Sequence, residues 1–346
     1  MWPLPGDPDD KVGTQQHIVP QLHLHYFANT RNQIAVVDRR TGHRFLAPTT
    51  RPGSAVERDF NTFVNIDGQL DGSLDHLLTY IEGRAAPVIK KMVEGSAFTK
   101  FPPSEQDRDD LCIFLAFQMT RGRKVRRRTE MLADLYAHVM IPANMTPVEA
   151  EALLVAKNIE PTAEAINELV SMSMEMERYE FVADPNAHLA LMGPLAKEMY
   201  QQLATRRWYL AEFDTPSLVT CDEPVVLSFE DDNPQRGGLL NADEVWFPLS
   251  PKHLLTLTRY AVPDLPEGRF KVPVKTAVEV NKAIVANAYS EIYLHPDQHH
   301  LDDLTLSDPA PLFHINASPE FNLARFNKPP TISTQRRRPS SARQST

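Results

Sequence analysis

Residues 111–128 read LCIFLAFQMTRGRKVRRR. The stretch from Phe114 to Met119 is apolar on nearly every side of a helical wheel, and a helix without a polar face has to lie inside a molecule. Six basic residues then follow within Arg121–Arg128. Other elements must therefore wrap the apolar half while a dense positive block emerges at its end. Ser104 and Asp107 have the spacing of a capping box just upstream, so the pattern predicts one helix starting there and continuing through 111–140.

The flanking regions supply the wrapping. Apolar residues recur at helical spacing through Leu74, Leu77, Leu78, Ile81, Ala85, Val88, Ile89 and Met92, with Pro87 expected to kink the rod. Thr146-Pro147-Val148-Glu149 is a second capping box, and Pro161 opens a helix running toward Val182. Asp184-Pro185 starts another that reaches about Thr205, with an interruption expected at Gly193-Pro194. Before these, QIAVVDRRTGHRFLAP (33–48) has the pattern of a β-hairpin, and RDFNTFV (58–64) alternates well enough to add a third strand. After Arg207, short β-rich runs take over (RWYLAEFD, SLVTCD, PVVLSF, VWFPLSP, HLLTLTR), followed by a helix over 277–290 and a strand, EIYLHP. The fold class is α+β: a small N-terminal sheet (16–70), a central helical part (71–205) and a mainly antiparallel C-terminal part with one helix (206–327), all in one unit. Residues 1–15 read as a flexible arm and 328–346 as a disordered basic tail.

Composition excludes several classes. Hydrophobic residues make up 42% and charged residues 23%, so the chain can build a core, and 29 prolines against 13 glycines favour rigid connections. Cys112 and Cys221, its two cysteines, lack CxxC spacing, which argues against a disulfide scaffold or a structural zinc site. No apolar run approaches the roughly 20 residues of a membrane span, and the acidic, proline-broken start is unlike a signal peptide. The expectation is a soluble cytoplasmic protein. The net charge of -9 opposes whole-molecule attraction to nucleic acid, although positive charge is clustered at 121–128 and again in RRRPSSARQST.

Candidate chemistry begins at HIVPQLHLHYF (17–27), with three histidines around one proline. If extended, His23 and His25 share a face and could chelate a metal, but a third ligand is missing and solvated surface is the simpler reading. His17 differs because Pro20 fixes the chain after it, and an imidazole exchanges protons near neutral pH. Gln118 and Arg121 lie one helical turn apart, with Arg121, Lys124 and Arg128 continuing a stripe. A guanidinium at the margin of a buried helix can hold phosphate or carboxylate; pairing with Glu130 and Asp134 on a solvated helix end is the alternative. Asp222, in TCDEP, sits where a strand meets a rigid turn, as a functional carboxylate or as a turn cap. Glu57 and Glu82 are further carboxylates able to gather around His17. GxGxxG, P-loop, HExxH and GxSxG signatures are absent from the sequence.

Taken in order, HIVPQLHLHYF, VVDRRTG, ERDFNTF, YIEG, FLAFQMTRGRKVRR, WYLAEFDTPSLVTCDEPVV and VWFPLSPKHLLTL resemble the blocks of a family without assigned activity, domain of unknown function 4238. The resemblance spans about His17 to Leu294. His17, Pro20, Leu24 and Phe27 match its opening block, with His23 where the family has tyrosine. Glu57, Phe60, Glu82, Gln118, Arg121, Asp222 and Pro224 fall on further block positions, and the resemblance lends His23 and His25 no support as metal ligands.

Two functional expectations follow. In the first, His17, Glu57 and Asp222 are catalytic, while Gln118, Arg121, Lys124 and Glu82 hold a phosphodiester or nucleotide-like substrate for hydrolysis. A divalent metal on the carboxylates is compatible with that set. The second is a non-enzymatic module binding nucleic acid or an acidic partner, its buried polar network fixing how the helical and β parts dock.

Overall fold

A computed structural model describes residues 15–298 and residue 306, apart from residues 52, 54, 66, 96–100, 176–183, 231–236 and 261–264. The expected arm before residue 15, the tail beyond 328 and the end of the helix read toward Val182 lie outside the described residues.

The apolar run is central. Helix α3 (Glu105–Thr120) buries every residue from Leu111 to Gln118, and Ser104 Oγ accepts from the Asp107 N–H at 3.2 Å as the capping box requires. It packs between α2 (Ser73–Glu94) and α7 (Pro185–Ala204). Helix α2 contributes the stripe from Leu74 to Met92, with Pro87 inside one continuous helix. No interruption appears at Gly193-Pro194 either. Helix α7 runs through both residues, because Leu189, Met192, Ala196 and Leu203 carry one buried face along its length. At roughly 25 cal/mol per Å² of apolar surface buried, that face outweighs the hydrogen bond lost at one proline.

The predicted long helix over 111–140 is two helices. α3 stops at Thr120 and α4 (Arg123–Asn144) restarts after an extended Gly122 at φ -69°, ψ 161°. This break leaves Arg121 at the C-cap of a buried helix, with only 2% of its side chain exposed. Helices α5 (Pro147–Ala156) and α6 (Ala163–Met174) pack against each other, and α6 contacts α4.

Strands form two main sheets. In one, β12 (Gly268–Lys271), β7 (Arg207–Glu212), β11 (His253–Thr258), β10 (Glu244–Ser250) and β9 (Val226–Ser228) lie in that order, with only β12 and β7 parallel. In the other, the predicted hairpin of β2 (Gln33–Asp38) and β3 (Arg44–Pro48) pairs with the C-terminal β13 (Glu291–Leu294), which pairs with β8 (Thr220–Cys221). An early hairpin and the last described strand thus share one sheet, and α9 (Lys275–Asn287) covers it with Ala277, Val280, Ile284 and Val285. The fold is α+β.

Residues 58–64 do not form a third strand of the hairpin. β4 (Val56–Arg58) pairs with β1 (Gln15–His17), while β5 (Phe63–Val64) pairs with β6 (Leu70–Asp71). Between them Asp59 adopts φ +53°, a left-handed conformation that ends the extended run.

Candidate functional site: a buried polar cluster at the end of helix α3

The segment 17–27 is neither one helix nor one strand. β1 ends at His17, Pro20 caps the start of α1 (Gln21–His25), and His23 and His25, two residues apart on a helix, point to different sides. His25 is exposed. His23 is not on the solvated surface expected for it: it is fully buried, stacked on Phe247 at 4.7 Å between ring centroids. Its Nε2 shares a 2.9 Å hydrogen bond with Thr220 Oγ1, and burial, helped by Arg121, pushes its pKa down to about 3. It is a neutral core histidine.

His17 occupies a different environment. Burial lowers its pKa, Glu82 opposes that shift, and Arg121 adds to it. The Thr49–Thr50 backbone hydrogen-bonds to the ring, whereas the buried Nε2 has no partner. A ring proton on Nδ1 fits both facts and makes Nε2 the acceptor of the neutral ring. Gln118 sits alongside: its Nε2 donates to the carbonyl of Ile18 at 3.3 Å, and this fixes Oε1 facing the other way, buried and unpaired.

Arg121 completes the cluster. Its Nη1 donates to Glu82 Oε1 at 2.7 Å, whereas Nε and Nη2 are buried without a hydrogen-bond partner. Glu82 is 24% exposed, so the cluster reaches the surface on that side. Asp75, seven residues before Glu82 on α2, lies on the same helix face; burial raises its pKa, eased by the Asn61 side chain. Asp75 and Asn61 were missed in the sequence. The i, i+7 spacing of Asp75 and Glu82 was the available signal, but an aspartate in a first helical turn also reads as a dipole partner.

The remaining candidates lie elsewhere. Glu57 is paired across the strands with Gln16, and His17 with Val56, so Glu57 and His17 occupy opposite faces of the ribbon. The Glu57 carboxylate is held by Arg123 Nε and Nη2 at 3.2 and 3.1 Å. Asp222 accepts from the N–H groups of Tyr289, Ser290 and Glu291 at 2.8, 2.7 and 3.3 Å, and from Ser290 Oγ at 2.7 Å. Lys124 donates its backbone N–H to Glu223 Oε1 at 2.9 Å and its Nζ to Asn287 Oδ1 at 3.1 Å. Burial lowers the Lys124 pKa. Buried Glu223 is pushed up to about 7 by desolvation and by Asp222.

The first half of the basic block is therefore turned inward, while its second half pairs along α4 with Glu130, the alternative read from the sequence. Besides Arg121, Arg123 and Lys124, Arg126 and Arg127 reach Glu130 at 3.7 and 3.3 Å, and Arg126 also lies 5.2 Å from the Phe60 ring centroid. Among the described residues no three His, Cys, Asp or Glu side chains group closely enough to hold a metal ion. Nor, among them, is any helix long and apolar enough to cross a membrane.

None of the curated proteins and none of the solved structures matches the chain. The model of the family described as protein of unknown function (DUF4238) matches residues 15–298, a span that holds both sheets and every helix described above, and the chain belongs to that family.

Proposed function

We propose that the protein is a hydrolase of a phosphodiester or nucleotide-like anionic substrate, with His17 as general acid/base and Arg121 as the anion clamp. One observation carries this reading: a guanidinium and an imidazole, brought together by the end of α3 and the end of β1, both keep buried nitrogens unpaired. More than nine in ten buried polar groups are satisfied in folded proteins, so such a concentration points to a partner that arrives from solution. Arg121 Nε and Nη2 would hold two non-bridging oxygens of the substrate. His17 Nε2 would take a proton from water as the new phosphorus–oxygen bond forms, then return it to the leaving oxygen as the ester bond breaks. Glu82 fixes the guanidinium, and Gln118 ties the cluster to the strand carrying His17.

The alternative, a scaffold network, is favoured by the hydrogen bonds of Asp222 and Lys124, and for those two residues we adopt it. Both cysteines are buried and unbridged, which supports placing the protein in the cytoplasm.

The test uses the full chain and bis(4-nitrophenyl) phosphate. His17→Gln should lower kcat/KM by about 10²- to 10⁴-fold while the melting temperature stays within about 4 °C. The wild-type rate should fall as pH drops through the His17 pKa, which lies below 6.5. Undiminished turnover by His17→Gln would remove His17 from the mechanism.

A further inference from the structure

The cluster carries an unusual inventory of hydrogen-bonding groups. Its unpaired donors are Arg121 Nε and Nη2, the two N–H groups along one edge of the guanidinium. Its unpaired acceptors are Gln118 Oε1, His17 Nε2 and, beside Asp75, Asn61 Oδ1, while the Asn61 amide N–H faces the Asp75 carboxyl. Two parallel donors match two oxygens of a single anionic group. A third charged oxygen would meet lone pairs instead.

Charge tells the same story. Among the described residues Arg121 is the cation ion-paired to Glu82, and Asp75 adds a carboxyl on the same face of α2. His17 faces Glu82, Arg121 and the backbone of Thr49 and Thr50, while His23, which also feels Arg121, is held neutral by burial. Arg123 is paired with Glu57. Among the described residues no second cation is ion-paired to this cluster, so a second negative charge on a ligand faces Glu82 and Asp75, and in a buried setting that repulsion is weakly screened.

Building on the hydrolase reading, we infer that the site selects a singly charged, two-oxygen anion, such as a phosphodiester, over a doubly charged phosphomonoester. Inorganic phosphate and phosphomonoesters are then poor ligands, so a product carrying a terminal phosphate leaves readily. A carboxylate shares the two-oxygen, one-charge chemistry and is the other source to separate.

The experiment titrates the full-length wild-type chain with diethyl phosphate, acetate and methyl phosphate at about pH 8 and constant ionic strength, following melting temperature and calorimetric heat. Methyl phosphate is then largely dianionic, its second pKa being about 6. Diethyl phosphate should bind at least about tenfold more tightly than methyl phosphate, and Arg121→Lys should lose at least about tenfold of that affinity, since an ammonium cannot reproduce the fork. Acetate binding as tightly as diethyl phosphate would identify the ligand as a carboxylate within the same class. Methyl phosphate binding as tightly as diethyl phosphate, or more so, overturns the inference. The selectivity is read in the wild type, so a misfolded variant does not remove the test. Diethyl phosphate binding without turnover of bis(4-nitrophenyl) phosphate would retire the hydrolase reading alone; turnover with a preference for methyl phosphate would retire the selectivity alone.

Discussion

Gly122 separates two buried polar clusters that draw on the same short basic run. On one side, Gln118 and Arg121 join His17, Glu82 and Asp75; on the other, Lys124 joins Asp222, Glu223 and Asn287. Residue types are alike, but hydrogen bonding is not. Both Asp222 oxygens are used, and Asn287 Nδ2 reaches the carbonyls of Glu223 and Val225 at 2.6 and 3.2 Å. In the Arg121 cluster, Arg121 Nε and Nη2, His17 Nε2 and Gln118 Oε1 are buried and open, and so are Nδ1 of neighbouring His23 and Oδ1 of Asn61 beside Asp75. Under the proposed function, buried ionisable groups of one protein do two jobs, and hydrogen-bond satisfaction, rather than burial or charge, is what separates them.

The largest test of this contrast is Asp222→Ala. It strands three backbone N–H groups at the turn that leads from α9 into β13, and removing the acceptor of a buried charged network costs roughly 3 to 5 kcal/mol. Urea unfolding should show a loss of that size. A loss below about 1 kcal/mol would mean that the bracket is not structural.

Gly122 offers a second test of the same cluster. The Glu223 carboxylate lies where a Gly122 Cβ would have to sit. Gly122→Ala should therefore destabilise by about 1 to 3 kcal/mol, and the double variant with Glu223→Ala should recover part of the loss. Strict additivity of the two losses would show that the close approach does not matter.

Acidity acts on the two regions in opposite directions. His23 has a folded pKa of about 3 against an unfolded value near 6.5, so the unfolded chain binds the extra proton first. Its contribution is fully present above 6.5 and is lost as pH falls toward 3, with a slope of up to about 1.4 kcal/mol per pH unit. Glu223, with a folded value of about 7 against an unfolded value of 4.5, stabilises below 4.5 and loses that contribution as pH rises through 7. His23→Gln should flatten the acid slope and Glu223→Gln the neutral one. An unchanged profile in either variant would show that its histidine or carboxyl is not the titrating group.

Much of the architecture was legible in the sequence because it rests on periodicity. An apolar helix must be central whatever surrounds it, and Phe114–Met119 is. Gln118 and Arg121 could be paired for a similar reason, since helical spacing is local. The α3–α4 break was not legible: helical patterning continues across it, glycine alone is tolerated in helices, and the cause is a Glu223 carboxylate about a hundred residues away. Glu57 was drawn toward His17 by proximity in the pattern, but strand register decides the face, and nothing local fixes the register of two three-residue strands. Asp222 was ambiguous because its partners are backbone N–H groups, which leave no signature in composition. His23 was misjudged because α1 is only five residues long, too short for a periodic pattern to declare its buried side.

The smallest expected change sharpens the contrast most. Arg121→Met removes a buried cation that holds one carboxylate and leaves two N–H groups unpaired, and it fills the space with an apolar chain of similar length. Glu82, 24% exposed, can turn to water once released. Replacing an incompletely satisfied buried charge by a hydrophobic group is often neutral or stabilising, so stability should change by less than about 1 kcal/mol, or rise, while hydrolysis of bis(4-nitrophenyl) phosphate disappears. The same chemistry in the other cluster, Lys124→Met, takes away the donor to Asn287 and should destabilise by about 1 to 2 kcal/mol, read by urea midpoint. If Arg121→Met is instead the more damaging of the two, the unpaired nitrogens of Arg121 are part of the scaffold, and the distinction between the clusters falls with the function assigned to one of them.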